Sequence, residues 1–139
     1  MSRLLFCEDE EAWRDLIIEN CKNLGVECRA VETPLEALDE VSSRSYEMIL
    51  LDIQNLKMPG GKWRGDMGYF ARRIKEFSPG AIIIGVSGIH PDDQPEEVRA
   101  CFDELAWKCY DSGNPNILGL PRLDRILGKY HLISLTRTK

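Results

Sequence analysis

Several features that mark other classes of protein are missing from this chain of 139 residues. The two histidines, His90 and His131, stand apart from the five cysteines, which form no CxxC pair, so the ligand spacing of a zinc site is absent. The sequence shows no signal peptide and no long apolar stretch. Together with the odd number of cysteines, this predicts a cytoplasmic protein with mostly free thiols and no membrane partner.

An excess of positive charge is also missing. The formal net charge is -5, and only the last four residues are locally basic. Proteins that bind nucleic acids or anionic membranes carry an excess of positive charge to offset phosphate repulsion. The negative net charge of this chain therefore predicts no direct nucleic-acid partner. Hydrophobic residues make up 43% and charged residues 29% of a chain whose length suits one globular domain.

What the sequence does contain is a regular alternation of strand-like and helix-like segments. This alternation predicts an α/β fold: a doubly wound, five-stranded parallel sheet of order 2-1-3-4-5, in a flavodoxin-like three-layer sandwich. Trp13, Phe70 and Phe77 are expected in its core. The predicted strands are 3–7, 26–31, 47–51, 81–86 and 103–107, and the predicted helices are 11–24, 33–42, 67–77, 94–101 and 120–130.

Reactive side chains follow four of these strands. Asp52 comes directly after the apolar run Met48-Ile49-Leu50-Leu51, and the other strand ends carry Glu8 and Asp9, Ser87, and Lys108. In this strand order the first, third and fourth strands are neighbours, so three carboxylates and a hydroxyl meet in the crevice where such folds bind ligands. Like charges at that density need a cation, and hard oxygen ligands suit Mg²⁺.

This set of side chains predicts phosphoryl chemistry. A carboxylate attacks phosphorus when the charge on the transferring group is neutralised. Asp52 is the expected nucleophile, while Lys108 and the Ser87 hydroxyl are expected to contact phosphoryl oxygens.

These motifs resemble the receiver domain of two-component response regulators, of the chemotaxis response regulator type, over nearly the whole chain. Leu5-Phe6-Cys7-Glu8-Asp9-Glu10 is similar to the family's strand and acid pair, and Tyr46-Glu47-Met48-Ile49-Leu50-Leu51-Asp52 to its phosphoacceptor strand. Val86-Ser87-Gly88 and the segment from Cys101 to Lys108 resemble its hydroxyl and lysine strands.

The resemblance implies a phosphorelay protein and not a conventional enzyme. Asp52 would accept a phosphoryl group from a histidine kinase or a histidine phosphotransfer protein. Asp9, Asp52 and the main-chain carbonyl of Gln54 would hold Mg²⁺, and Glu8 would bind the metal through water. Residues 1–130 would form the receiver and 131–139 a tail, with the output read by a downstream protein partner.

The chain departs from the family pattern at three places. A loop at 55–65 is inserted after the phosphoacceptor, Leu105 occupies the usual aromatic switch position, and Cys109 stands where a cis proline is usual. A receiver-like interaction module that works without phosphorylation is therefore an alternative. A metal-dependent phosphotransferase or nuclease-like enzyme is a second one, but Asp52-Ile53-Gln54 lacks the second acid of the DxD such sites commonly need.

Overall fold

The computed structural model describes residues 2–53, 69–88, 91–107 and 123–133, and within these ranges the chain forms a single parallel sheet. Its strands lie in the order β2-β1-β3-β4-β5, and every neighbouring pair is parallel. This confirms the predicted α/β fold and its strand order. The strands are β1 (Arg3–Cys7), β2 (Glu27–Val31), β3 (Met48–Asp52), β4 (Ile82–Ser87) and β5 (Glu104–Trp107).

Helices follow the strands, and their ends obey local signals in the sequence. Thr33 caps the second helix: its hydroxyl accepts from the Glu36 amide at 3.2 Å, and the Glu36 carboxylate accepts from the Thr33 amide at 3.0 Å. This is the predicted capping box, with Pro34 at the first helical position. The helices are α1 (Glu11–Asn23), α2 (Pro34–Ser43), α3 (Tyr69–Phe77), α4 (Glu96–Arg99) and α5 (Leu123–Lys129).

Apolar side chains on the two faces of the sheet make two cores. On one face, Leu4, Phe6, Met48 and Leu50 pack with buried side chains of α1 and α5. On the other face, Leu5, Ile49 and Ile83 are among the strand residues that pack with α2 and α3. All five residues of β3 are buried because the strand is central and covered on both faces. The carboxyl end of β3 therefore lies in the middle of the sheet, between the ends of β1 and β4.

Two details of the fold differ from the sequence expectation. The predicted helix 94–101 is shorter, Glu96–Arg99. It begins after Pro95, the extended N-cap residue, because proline disfavours helical backbone at the residue before it. The prediction of a core position for Phe77 was wrong. Ala71 and Ile74 supply the buried face of α3, while Phe77 is 46% exposed beneath the guanidinium of Arg73, 5.5 Å from its ring centroid.

The described cysteines fit a structural role. Cys21 and Cys28 are free thiols in or against the α1 core. A hydrogen bond with the Cys21 thiol, followed by burial, raises the pKa of Cys28, so that thiol stays protonated. Cys109 lies outside the described residues.

The described beginning of the predicted tail contacts the core. Leu132 and Ile133 pack against the core on the α1 face of the sheet. Among the described ranges, no helix combines the length and the apolar character needed to cross a membrane.

Candidate functional site

Three carboxylates meet at the carboxyl ends of β1 and β3. One ligand oxygen from each of Glu8, Asp9 and Asp52 lies within 4.8 Å of the others. Glu8 is fully buried, Asp52 is 2% exposed, and Asp9 is exposed. The cluster thus has a buried floor formed by two acids and an open side at Asp9.

The register of the sheet explains why these acids meet. Cys7 of β1 lies opposite Leu51 of β3, so the residues that follow, Glu8 and Asp52, come out side by side. The Glu8 amide also donates to the carbonyl of Val31 at 3.0 Å, which continues the ladder to β2. Backbone pairing therefore positions the main chain of Glu8.

Two contacts around Glu8 were not predicted from the sequence. One Glu8 carboxylate oxygen accepts from the Glu10 amide at 3.1 Å, and a guanidinium nitrogen of Arg14 donates to the Glu8 carbonyl at 2.9 Å. Arg14 therefore brings a positive charge to the edge of the acid cluster. The sequence signal for this role of Arg14 was its position in the first turns of the helix that follows the acid run.

The predicted hydroxyl lies on the next strand. Asp52 pairs with Val86 of β4, and Ser87 is one residue beyond it, 1% exposed. The side chain beside Ser87 on β5 is Trp107, whose indole N–H donates to the Gly88 carbonyl at 3.1 Å. Sequence reasoning did not assign a role to Trp107. Two further predicted site residues, Lys108 and Gln54, lie outside the described residues, as does the loop 55–65.

The acid cluster has the chemistry of a magnesium site. All three ligand atoms are carboxylate oxygens, the hard donors that Mg²⁺ prefers. Octahedral Mg²⁺ with bonds of about 2.1 Å places opposite ligand oxygens about 4.2 Å apart. The three oxygens lie within 4.8 Å of one another, so two of these acids can bind one ion directly while the third contacts it through a water molecule. Mg²⁺ also commonly uses water and phosphate oxygens as further ligands, and the exposed side at Asp9 leaves room for them.

Comparison with solved structures identifies the class to which this architecture corresponds. The chain has the fold of response regulator receiver domains, as the sequence resemblance predicted. No protein-family model matches the chain, and no curated protein matches it.

Three of the similar structures show how complete the match is. The chain is 25% identical, with a TM-score of 0.69, to the response regulator TrrA of Thermotoga maritima in complex with Mg²⁺ and BeF, covering 94% of this chain and 99% of TrrA. A chain in the complex of the histidine kinase ThkA with TrrA gives 25% identity, a TM-score of 0.70 and coverage of 94% and 98%. A receiver domain from Methylobacillus flagellatus is 21% identical with a TM-score of 0.70, and the match covers 94% of this chain and 98% of that domain.

Proposed function

We propose that this protein is the phosphoacceptor receiver of a two-component phosphorelay and takes a phosphoryl group on Asp52 in a Mg²⁺-dependent step. The observation that carries the proposal is the position of Asp52. Its carboxylate is buried at the end of the central strand, within 4.8 Å of the ligand oxygens of Glu8 and Asp9. A buried acid cluster that coincides with the fold of receiver domains is well suited to hold a metal and a phosphoryl group.

Each described residue has a specific part in the proposed reaction. An Asp52 carboxylate oxygen forms a bond to phosphorus while the phosphorus–nitrogen bond of a phosphohistidine breaks, and the leaving imidazole keeps the electron pair and takes up a proton. Asp9 and Asp52 hold Mg²⁺, Glu8 contacts it through water, and Ser87 donates to a phosphoryl oxygen. The bound metal neutralises charge on the transferring group. Lys108 and the carbonyl of Gln54 complete the proposed set.

The proposed partners follow from the same chemistry. The donor is a histidine kinase or a histidine phosphotransfer protein, a proposal supported by the similarity to a chain in the ThkA–TrrA complex. We place the protein in the cytoplasm, with a receiver at residues 1–130 and a tail at 131–139. The readout is a downstream protein that recognises the surface altered by the added charge of about -2. The domain transfers phosphate to itself and is not otherwise an enzyme.

Intact-mass measurement tests the proposal. Incubation with Mg²⁺ and a small acyl phosphate should add one phosphoryl group to the wild type, and Asp52→Asn should abolish the addition. Asp39→Asn is a matched control, because Asp39 is an exposed acid of α2 outside the cluster, and this variant should be modified as the wild type is. Chelation of Mg²⁺ should prevent modification of the wild type and of Asp39→Asn.

Unmodified mass under several phosphodonors would overturn the proposal. It would favour the alternative of an interaction module that works without phosphorylation, which the inserted loop 55–65, Cys109 and Leu105 at the usual aromatic position suggest. A titration with Mg²⁺ would then show no saturable change in tryptophan or tyrosine fluorescence.

A further inference from the structure

Trp107 lies beside Ser87 at the end of the sheet. In the register between β4 and β5, Ser87 is opposite Trp107 and Gly85 is opposite Leu105. Because side chains alternate along a strand, paired residues of neighbouring strands project from the same face. The indole therefore lies on the face from which the Ser87 side chain projects. Its N–H donates to the carbonyl of Gly88, the residue that immediately follows Ser87, at 3.1 Å.

Leu105 cannot make an equivalent contact. A Cβ atom added to Gly85 would lie 2.9 Å from Cδ2 of Leu105, so the leucine side chain occupies the space above the Gly85 backbone. Leucine also has no polar atom with which to bind a main-chain carbonyl. Among the described residues of β5, the side chain that binds the backbone following Ser87 is therefore that of Trp107.

Trp107 also connects this backbone to the molecular surface. The residue is 38% exposed, although its N–H reaches Gly88. The short helical turn Pro91–Asp93 packs against the same strand, and Gln94 follows it. Gln94 is buried, and its side-chain nitrogen finds no hydrogen-bond partner in the part of the chain that the structure describes.

We infer that Trp107 is a positioning residue that holds the backbone after Ser87 in its unphosphorylated position and couples that backbone to the surface around β5 and α4. The inference rests on the proposed function. When Ser87 donates to a phosphoryl group on Asp52, Ser87 and Gly88 move towards Asp52. The bond from the indole to Gly88 then lengthens beyond hydrogen-bonding range, and the partly exposed ring is released. Loss of this bond is the step through which the site changes the surface.

Beryllofluoride with Mg²⁺, a non-covalent phosphoryl analogue, tests this coupling. Trp107→Phe keeps an aromatic ring but removes the N–H. Since the bond stabilises only the unphosphorylated position, its removal should tighten beryllofluoride binding about twofold to tenfold, measured by titration calorimetry. In a Ser87→Ala background the same substitution should have no effect, because the movement of Ser87 no longer drives the change. Phe77→Leu, which alters an exposed aromatic residue of α3, should leave the affinity unchanged.

The outcomes separate this inference from the proposed function. Equal affinity for wild type and Trp107→Phe, or a gain that persists without the Ser87 hydroxyl, overturns the role of Trp107 alone. A wild type that binds no beryllofluoride overturns both. Tryptophan emission provides a second measurement. Because the chain also contains Trp13 and Trp63, the emission change of the wild type on beryllofluoride addition is compared with that of Trp107→Phe, and equal changes in the two proteins contradict the inference.

Discussion

One added methyl group at Gly85 of β4 should destabilise the fold. A Cβ there would meet Cδ2 of Leu105 and the Cγ and Cδ2 atoms of Phe102, all at 2.9 Å. Carbon atoms pack best at about 3.5–4.0 Å, so both neighbours must move. Overpacking typically costs about 1–3 kcal/mol, whereas replacing glycine within a strand returns about 0.5–1 kcal/mol. From the central values of these ranges, the expected net effect of Gly85→Ala is a loss of about 1 kcal/mol in the free energy of unfolding.

Urea unfolding followed by circular dichroism measures this loss. With a slope of about 2 kcal/mol per molar urea, the midpoint should fall by roughly 0.5 M. Gly80→Ala is the matched control, since nothing lies within 4 Å of its added Cβ, and it should be neutral or stabilising by up to about 1 kcal/mol. Adding Leu105→Ala should make the Gly85→Ala loss smaller, because one clashing atom is gone. Identical midpoints for the two alanine variants would refute the packing argument.

Three further outcomes concern other parts of the fold. Burial, followed by a hydrogen bond to Glu40 at 2.7 Å, raises the pKa of Tyr46 to about 12. The contribution of the protonated Tyr46 hydroxyl to the free energy of unfolding is therefore complete below pH 10 and is lost as the pH rises towards 12. Relative to Tyr46→Phe, the wild type should lose about 2 kcal/mol over that window in urea titrations, and parallel pH profiles would exclude this. Thr33→Ala should lower stability by about 1 kcal/mol in thermal unfolding while Thr33→Ser should not, and equal melting temperatures would mean that the bond to Glu36 contributes little. His131 has a φ of 68°, so His131→Gly should gain up to about 1 kcal/mol, and a lower melting temperature would contradict the strain argument.

The strand order and the meeting of the acids could be predicted because they depend on patterns that repeat along the chain. The buried run before Asp52 marks a central strand, and parallel pairing brings the residues after neighbouring strands to the same edge. The start of α2 was equally predictable, since Thr33, Pro34 and Glu36 define a capping box by their types alone.

Contacts that depend on the path of a single side chain could not be predicted in this way. Arg14 and Trp107 both donate to main-chain carbonyls, which every residue carries, so the acceptors Glu8 and Gly88 give no sequence signal. The close packing at Gly85 depends on the register between β4 and β5, and this register is not encoded in either strand alone. Phe77 was misplaced because it is the last residue of α3, where helical periodicity no longer determines burial.

The central claim is that Asp52 itself carries the phosphoryl group. The most direct measurement treats the protein with Mg²⁺ and a small acyl phosphate, reduces any aspartyl phosphate with borohydride, and locates the modified residue by peptide mass spectrometry. A single Mg²⁺-dependent modification, at Asp52, is expected. Modification at Glu8 or Asp9 instead, or none at all in folded protein, would contradict it.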